Sequence, residues 1–278
     1  MEINKKVVEL LSNLKEKNPL VHHITNYVTV NDCANITLAI GASPVMADDI
    51  NEVREMVALS SSLVINIGTL NSRSVESMIQ AGKRANELNI PVILDPVGAG
   101  ATSYRTETAK RIISEVKLAV IRGNLSEIKT LHGIETKTKG VDACVSVYEN
   151  GTDLTKEKEM ASALAYKFNT VVAITGEVDI ITDGKILYTS SNGHKIMAKV
   201  TGTGCMCTSL IGCYLGVGDN NLIATLAGIV SMGIAGEIAH EGLEENKGGT
   251  GTLKVKILDA IYSLSESIIM KRSKLNEE

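Results

Sequence analysis

Short apolar runs rich in β-branched residues alternate along the chain with longer stretches whose apolar positions recur at helical spacing. Val7, Val8, Leu10, Leu11 and Leu14 give the opening segment one apolar face, which predicts an amphipathic helix. Candidate strands follow at residues 21–24, 63–67, 91–95, 118–121 and 171–175, punctuated by Gly, Pro and Asn. Helical stretches such as 72–88 and 160–168 lie between several of them. Val92-Ile93-Leu94 and Val171-Val172-Ala173-Ile174 are unbroken apolar runs, the pattern of strands buried on both faces. The alternation predicts an α/β fold, a mostly parallel sheet wrapped by helices on both sides.

Residues 180–200 break the rhythm. They read as two or three strands with turns at Asp183-Gly184 and Asn192-Gly193, an antiparallel edge on the parallel sheet. The remainder is helical. Residues 222–242 are apolar on nearly every side, as in a helix buried all round. Residues 252–271 place Leu253, Ile257, Ile261, Leu264 and Ile268 on one face, which predicts one helix covering the sheet. No repeat, low-complexity segment or Pro/Ser-rich linker divides residues 1–278, so one domain is expected. The apolar runs 205–218 and 222–236 fall short of the roughly 20 residues of a membrane span, and core helices explain them better.

Composition narrows the function classes. Of 278 residues, 44% are hydrophobic and 22% charged, as in ordinary globular proteins. There is no Trp and Phe168 is the single Phe, so few rings could stack on bases. With a net charge of −4 and no basic stripe, a nucleic-acid groove is not expected. The short basic tail at Lys271, Arg272 and Lys274 reads as a solvated helix end. The cysteines, Cys33, Cys144, Cys205, Cys207 and Cys213, are odd in number, and residues 1–14 carry no cleavable apolar core. A reducing cytoplasm is the expected setting.

Open parallel sheets bind ligands beyond the carboxyl ends of their strands. The segments there are His22-His23-Ile24-Thr25-Asn26, Gly68-Thr69-Leu70, Asp95 to Gly100, Arg122-Gly123-Asn124 and Thr175-Gly176-Glu177, all polar or Gly-rich. The sharpest feature is Thr201-Gly202-Thr203-Gly204-Cys205 before a long apolar run. It is either a plain turn or a set of amides and a helix dipole aimed at an anion. No P-loop or dinucleotide fingerprint occurs, which argues against a Walker-type ATPase or a Rossmann dehydrogenase. Cys205 opens the helix, where the dipole lowers a thiol's pKa, so it is a candidate proton acceptor or a packed small residue. Cys207 and Cys213 read as core. Asn124 and Glu127 fit a helix cap, and Glu127 equally fits a Mg²⁺ ligand, direct or through water. Arg122 has the planar fork that suits phosphate oxygens. Asp95 ends an apolar strand, where a carboxylate needs a cation or donors. His22 and His23, adjacent on a strand, point to opposite faces and do not make a metal pair.

Taken in order, the 22–26 run, Gly41-Ala42-Ser43-Pro44-Val45-Met46, Leu94-Asp95-Pro96-Val97-Gly98-Ala99, Arg122-Gly123-Asn124-Leu125-Ser126-Glu127 and the 201–205 loop resemble hydroxyethylthiazole kinases over nearly the whole chain. The resemblance implies a ribokinase-like three-layer α/β/α fold, ATP as co-substrate, Mg²⁺, a role in thiamine biosynthesis or salvage, and a homotrimer with the thiazole pocket between subunits. It implies Asn26, Val28 and Met46 near the thiazole, Gly202 at its hydroxyethyl arm, Arg122 and Thr175 at ATP, and Glu127 and Asp95 serving metal and phosphates. Many relatives in the wider superfamily carry an Asp base where Cys205 stands. The thiol fits the thiazole-kinase branch, and leaves the base open. Competing expectations are a kinase for another small alcohol, an ATP-dependent hydro-lyase of the same fold, and a nucleotide sensor without turnover.

Overall fold

The computed structural model describes residues 2–133, 153–246 and 248–278, so Cys144 lies outside the described residues. The chain begins α1 (Glu2–Lys17), β1 (Leu20–Ile24), α2 (Val30–Ile40), β2 (Ser43–Val45), α3 (Val53–Ala58), β3 (Ser62–Asn66), α4 (Ser72–Glu87) and β4 (Val92–Asp95). It continues through α5 (Ser103–Glu115), β5 (Val120–Asn124), α6 (Leu125–His132), α7 (Thr155–Phe168), β6 (Val171–Thr175), β7 (Asp179–Thr182) and β8 (Leu187–Ser190). A 3-10 helix (Lys195–Lys199) precedes α8 (Thr203–Leu215), α9 (Asn221–Asn246), α10 (Thr250–Tyr262), α11 (Glu266–Arg272) and β9 (Leu275–Glu277).

One nine-stranded sheet runs in the order β2-β1-β3-β4-β5-β6-β7-β8-β9. Strands β1 to β6 are parallel, and β7, β8 and β9 form the antiparallel edge. Because side chains alternate across a strand, the apolar runs feed two cores. Val21, Val64, Ile93, Val120 and Ala173 meet α1, α2, α8, α9 and α10 on one face. Leu63, Ile65, Val92, Leu94, Ile121 and Val172 meet α3 to α7 on the other. The three layers are therefore those expected from the pattern. α9 is long and apolar enough to cross a membrane, but it lies mostly buried in the first core, against α8 and α10.

The structure corrects three expectations. The 183–186 turn closes a hairpin, with Asp183 Oδ1 accepting the amides of Lys185 and Ile186, each at 2.9 Å. Asn192-Gly193 closes none. The Asn192 amide instead donates to the Arg272 carbonyl (2.8 Å) and accepts from the Lys274 amide (2.8 Å), so the chain end supplies the next strand, β9. The predicted helix 252–271 is two helices, because the Ser265 side chain caps α11 by accepting from the Ile268 amide. Its apolar stripe packs on α9 and α2 rather than on the sheet.

α8 and α9 approach closely at Gly228, where a Cβ would sit 2.5 Å from Ile211 Cγ1 and 2.7 Å from the Ile211 amide nitrogen. Since the obstacle includes backbone, Gly228→Ala is expected to destabilise by about 1–3 kcal/mol. A lowered urea midpoint at unchanged m-value checks this, and a wild-type midpoint refutes it.

Candidate active site

The apolar row Val64, Ile93, Val120 and Val171 faces the layer of α8 and α9, and further along the same face turns polar: Asn66, Asp95 and Arg122, with Thr175 two residues beyond Ala173, the register partner of Arg122. Parallel register makes this a continuous line at the carboxyl edge, beside the β1/β3 switch in strand order where α/β ligands bind. Hydrogen bonds and one ion pair tie the line together. Asn66 Nδ2 donates to Asp95 Oδ2 (3.1 Å), as does Thr208 Oγ1 from α8 (2.8 Å), and Arg122 Nη1 lies 3.6 Å from the same oxygen. Arg122 Nη2 donates to Thr175 Oγ1 at 2.5 Å. Burial pushes the Asp95 pKa up, against the pull of Arg122, Thr208 and Asn66. Asp95 Oδ1 and Arg122 Nε are buried without a hydrogen-bond partner.

α8 meets this line end-on. Its first closed helical bond runs from the Met206 amide to the Gly202 carbonyl (2.8 Å), so the amides of Thr203, Gly204 and Cys205 have no helical acceptor. Gly202 has φ +89°, and a Cβ there would lie 2.8 Å from Thr29 Cγ2, so conformation and space both require glycine. A Cβ on Gly204 would lie 2.8 Å from Arg122 Nη1, so the guanidinium rests against the loop backbone. Loop amides, a helix N-terminus and an arginine converge here, an arrangement able to hold a phosphoryl group.

Cys205 Sγ accepts from Asn26 Nδ2 and Asn66 Nδ2, each at 3.3 Å. The expectation of a lowered pKa is overturned: burial, then the nearby Asp95 carboxylate, push this thiol up. Cys207 and Cys213 are buried core thiols, both pushed to about 12 by burial.

Glu127 is the capping residue its spacing suggested. Its Oε2 accepts the Asn124 amide (2.8 Å), while Asn124 Oδ1 accepts the Glu127 amide (3.0 Å). Its Oε1 accepts the Gly98 amide (2.8 Å), tying the 96–100 loop to α6. Burial, then Asp95, raise its pKa to about 7. Asn26 is buried, Val28 is 59% exposed and Met46 is half-buried; all follow the carboxyl ends of the neighbouring parallel strands β1 and β2. His22 and His23 are buried on opposite faces, bonded to the carbonyls of Ala47 and Val21.

Sequence reasoning missed Asn66, Thr208 and Asp179. Asn66 had a signal, a lone polar residue inside the apolar run 63–67. Thr208 had none, since its partner Asp95 is distant in sequence. A groove lined by Asn86, Val116, Lys117 and Phe168 lies at the opposite, amino edge of the sheet and contains none of these residues.

The fold is that of ribokinase-like small-molecule kinases. A pyridoxal kinase from Staphylococcus aureus superposes with a TM-score of 0.59 over 79% of this chain and 88% of its own, at 15% identity, a likeness of fold alone. The solved hydroxyethylthiazole kinase protein from Pyrococcus horikoshii superposes with a TM-score of 0.87 over 99% of both chains, at 41% identity. A sequence profile of the hydroxyethylthiazole kinase family matches residues 11–267. Hydroxyethylthiazole kinases of Clostridium tetani and Alkaliphilus oremlandii are 56% and 54% identical to it, over 99% and 100% of both sequences. The chain belongs to the hydroxyethylthiazole kinase family.

Asp179, at the start of β7, accepts the Gly176 amide at 3.0 Å, and burial raises its pKa from 3.8 to about 7. Between these values the folded protein holds a proton that the unfolded chain releases. This contribution to stability is therefore full below about pH 4 and is lost as pH rises through about 7. Asp179→Asn keeps an acceptor for Gly176 and removes the titration. Its melting temperature at pH 8 is expected to exceed wild type, by about 2–4 °C per kcal/mol gained, with the gap closing towards pH 4. Parallel melting curves across that range would refute the assignment.

Proposed function

We propose that this chain transfers the γ-phosphoryl of ATP to the hydroxyl of 4-methyl-5-(2-hydroxyethyl)thiazole, giving the phosphate ester used in thiamine biosynthesis and salvage. The full-length identity of more than half to hydroxyethylthiazole kinases carries the reading. The geometry supports the following mechanism. The amides of Thr203, Gly204 and Cys205 face charge developing on the migrating phosphoryl, and Arg122 flanks it, bonded to Thr175. Gly202 borders the hydroxyethyl arm, and Asn26, Val28 and Met46 border the thiazole ring. Asn26 already meets Cys205, which would bring the hydroxyl towards the sulfur. Cys205 is the catalytic residue: its thiolate receives the hydroxyl proton and becomes the thiol. Burial keeps that thiolate a minor form, but in a loose transition state the alcohol becomes acidic only as its bond to phosphorus forms. Transfer is then late and needs little base strength.

Mg²⁺ fits these residues. Asp95 Oδ1 is buried and lacks a partner, the kind of oxygen a hard cation takes. Both Glu127 oxygens already accept backbone amides, so Glu127 would reach the ion through water. Among the described residues no cluster of three or more His, Cys, Asp or Glu could hold a metal, which suits an ion kept mainly by phosphates, waters and one or two carboxylates. When bound, it neutralises phosphate charge.

The reading includes a homotrimer. Val28, 59% exposed, and Tyr27, 78% exposed, follow buried Asn26, so they could enclose a ligand once a second copy covers them. It also includes the cytoplasm, supported by Cys33, Cys205, Cys207 and Cys213 being free thiols.

Incubation with Mg-ATP and the thiazole alcohol is expected to give the phosphate ester by mass spectrometry; ATP consumption without that ester would favour another alcohol or a hydro-lyase. Cys205→Ala is expected to lower kcat by about ten- to hundredfold with ATP affinity unchanged. Cys205→Asp should keep or raise kcat while lowering stability. Steady-state kinetics check both, and full turnover by the alanine variant removes Cys205 from the mechanism.

A further inference from the structure

Asn66 makes four hydrogen bonds from one buried amide. Its Oδ1 accepts the Gly68 amide (2.9 Å) and Asn26 Nδ2 (3.0 Å). A backbone N–H can only donate, so the Gly68 contact fixes which way the amide faces. Nδ2 must then donate, and it reaches both Asp95 Oδ2 (3.1 Å) and Cys205 Sγ (3.3 Å). From the opposite layer Thr208 Oγ1 reaches the same Asp95 oxygen at 2.8 Å. Oδ2 is thus engaged from sheet and helix together, while Oδ1 is buried without a hydrogen-bond partner. The Asn26 amide is oriented in turn, since its Oδ1 accepts both the amide and the hydroxyl of Thr29, each at 3.0 Å.

We propose that Asn66 and Thr208 are positioning residues for phosphoryl transfer: between them they fix the Asp95 carboxylate so that Oδ1 alone is left for metal and phosphate, and Asn66 couples that carboxylate to the Cys205 sulfur. This rests on the kinase reading above. Thr208 acts through Asp95, and Asn66 acts through Asp95 and the Cys205 sulfur. Each sets the rotation of a group it holds, and in such sites loss of an outer partner costs about 10–100-fold in metal affinity or activity.

The test uses the full chain carrying Thr208→Val, Thr208→Ser, Asn66→Ala or Asn66→Asp. It reads kcat, both KM values, melting temperature, and the affinity for Mn²⁺ with ATP by electron paramagnetic resonance. Thr208→Val is nearly isosteric and deletes only the hydroxyl. It is expected to lower kcat and weaken Mn²⁺ binding, each about 10–100-fold, with the thiazole KM within about threefold of wild type. Thr208→Ser should restore both to within about threefold. Asn66→Ala should match or exceed the valine loss, and Asn66→Asp, which sets a second carboxylate against Asp95, should exceed it. The proposal fails if Thr208→Val keeps wild-type kcat or Mn²⁺ affinity, if serine does not rescue, or if the losses follow the melting temperature alone. A wild-type chain that makes no thiazole phosphate sinks the kinase reading, and the Mn²⁺ arm still decides this one.

Discussion

A carboxylate removed from water must find charge or donors nearby, and Asp95 is 1% exposed at the end of a strand buried on both faces. Its burial organises everything around it. The sheet supplies Arg122 and Asn66 from the neighbouring strands, and α8 supplies Thr208. Each group is in turn constrained: Arg122 by Thr175 and the Gly204 backbone, Asn66 by Gly68, Asn26 and Cys205. Removing one partner from such a pair typically costs about 3–5 kcal/mol, because the remaining charge stays buried. An apolar replacement of the whole line would be cheaper for stability. The line is better understood as a site than as a brace.

The position of α8 follows from the same economy. Besides Thr208, the Ser62 hydroxyl donates to the Gly212 carbonyl (2.7 Å), and a Cβ on Gly212 would lie 2.5 Å from Val64 Cγ2. The helix is therefore pinned to the sheet at two points about one turn apart, with α9 pressed on its far side at Gly228. Its amino end cannot slide relative to Asp95 and Arg122 without breaking close packing. A buried helix of this kind makes a rigid mount for loop amides, which act best when they need no reorganisation.

The fold was legible where local chemistry decided it. Unbroken apolar runs marked β4 and β6, and the Asn124–Glu127 spacing announced a cap that the hydrogen bonds bear out. It was illegible where a distant segment competed. Asn192-Gly193 has the chemistry of a hairpin turn, but Arg272 and Lys274 capture the Asn192 side chain from the far end of the chain. Periodicity ran unbroken through Ser263-Leu264-Ser265, and only the Ser265 cap divides α10 from α11. The same limit applies at the candidate site. Asp95, Arg122 and the 201–205 loop stood out as polar or glycine residues after apolar runs. Thr208, inside an apolar helix, acquires its meaning only from the residue opposite.

The thiol at residue 205 follows from the crowding of charge. Burial raises the pKa of Asp95, and burial with the Asp95 charge raises that of Glu127 to about 7, so two acidic groups already resist ionisation around one guanidinium. A third carboxylate at the mouth of α8 would add repulsion that Arg122 alone has to absorb. Cysteine avoids this. Its sulfur accepts the Asn26 and Asn66 amides while neutral, and in the proposed mechanism its minor thiolate form loses its charge when it takes the proton of the attacking hydroxyl. A site that relies on amides, an arginine and a cation to stabilise the migrating group can take a weak base, because the chemistry it lacks is the smallest part of the barrier.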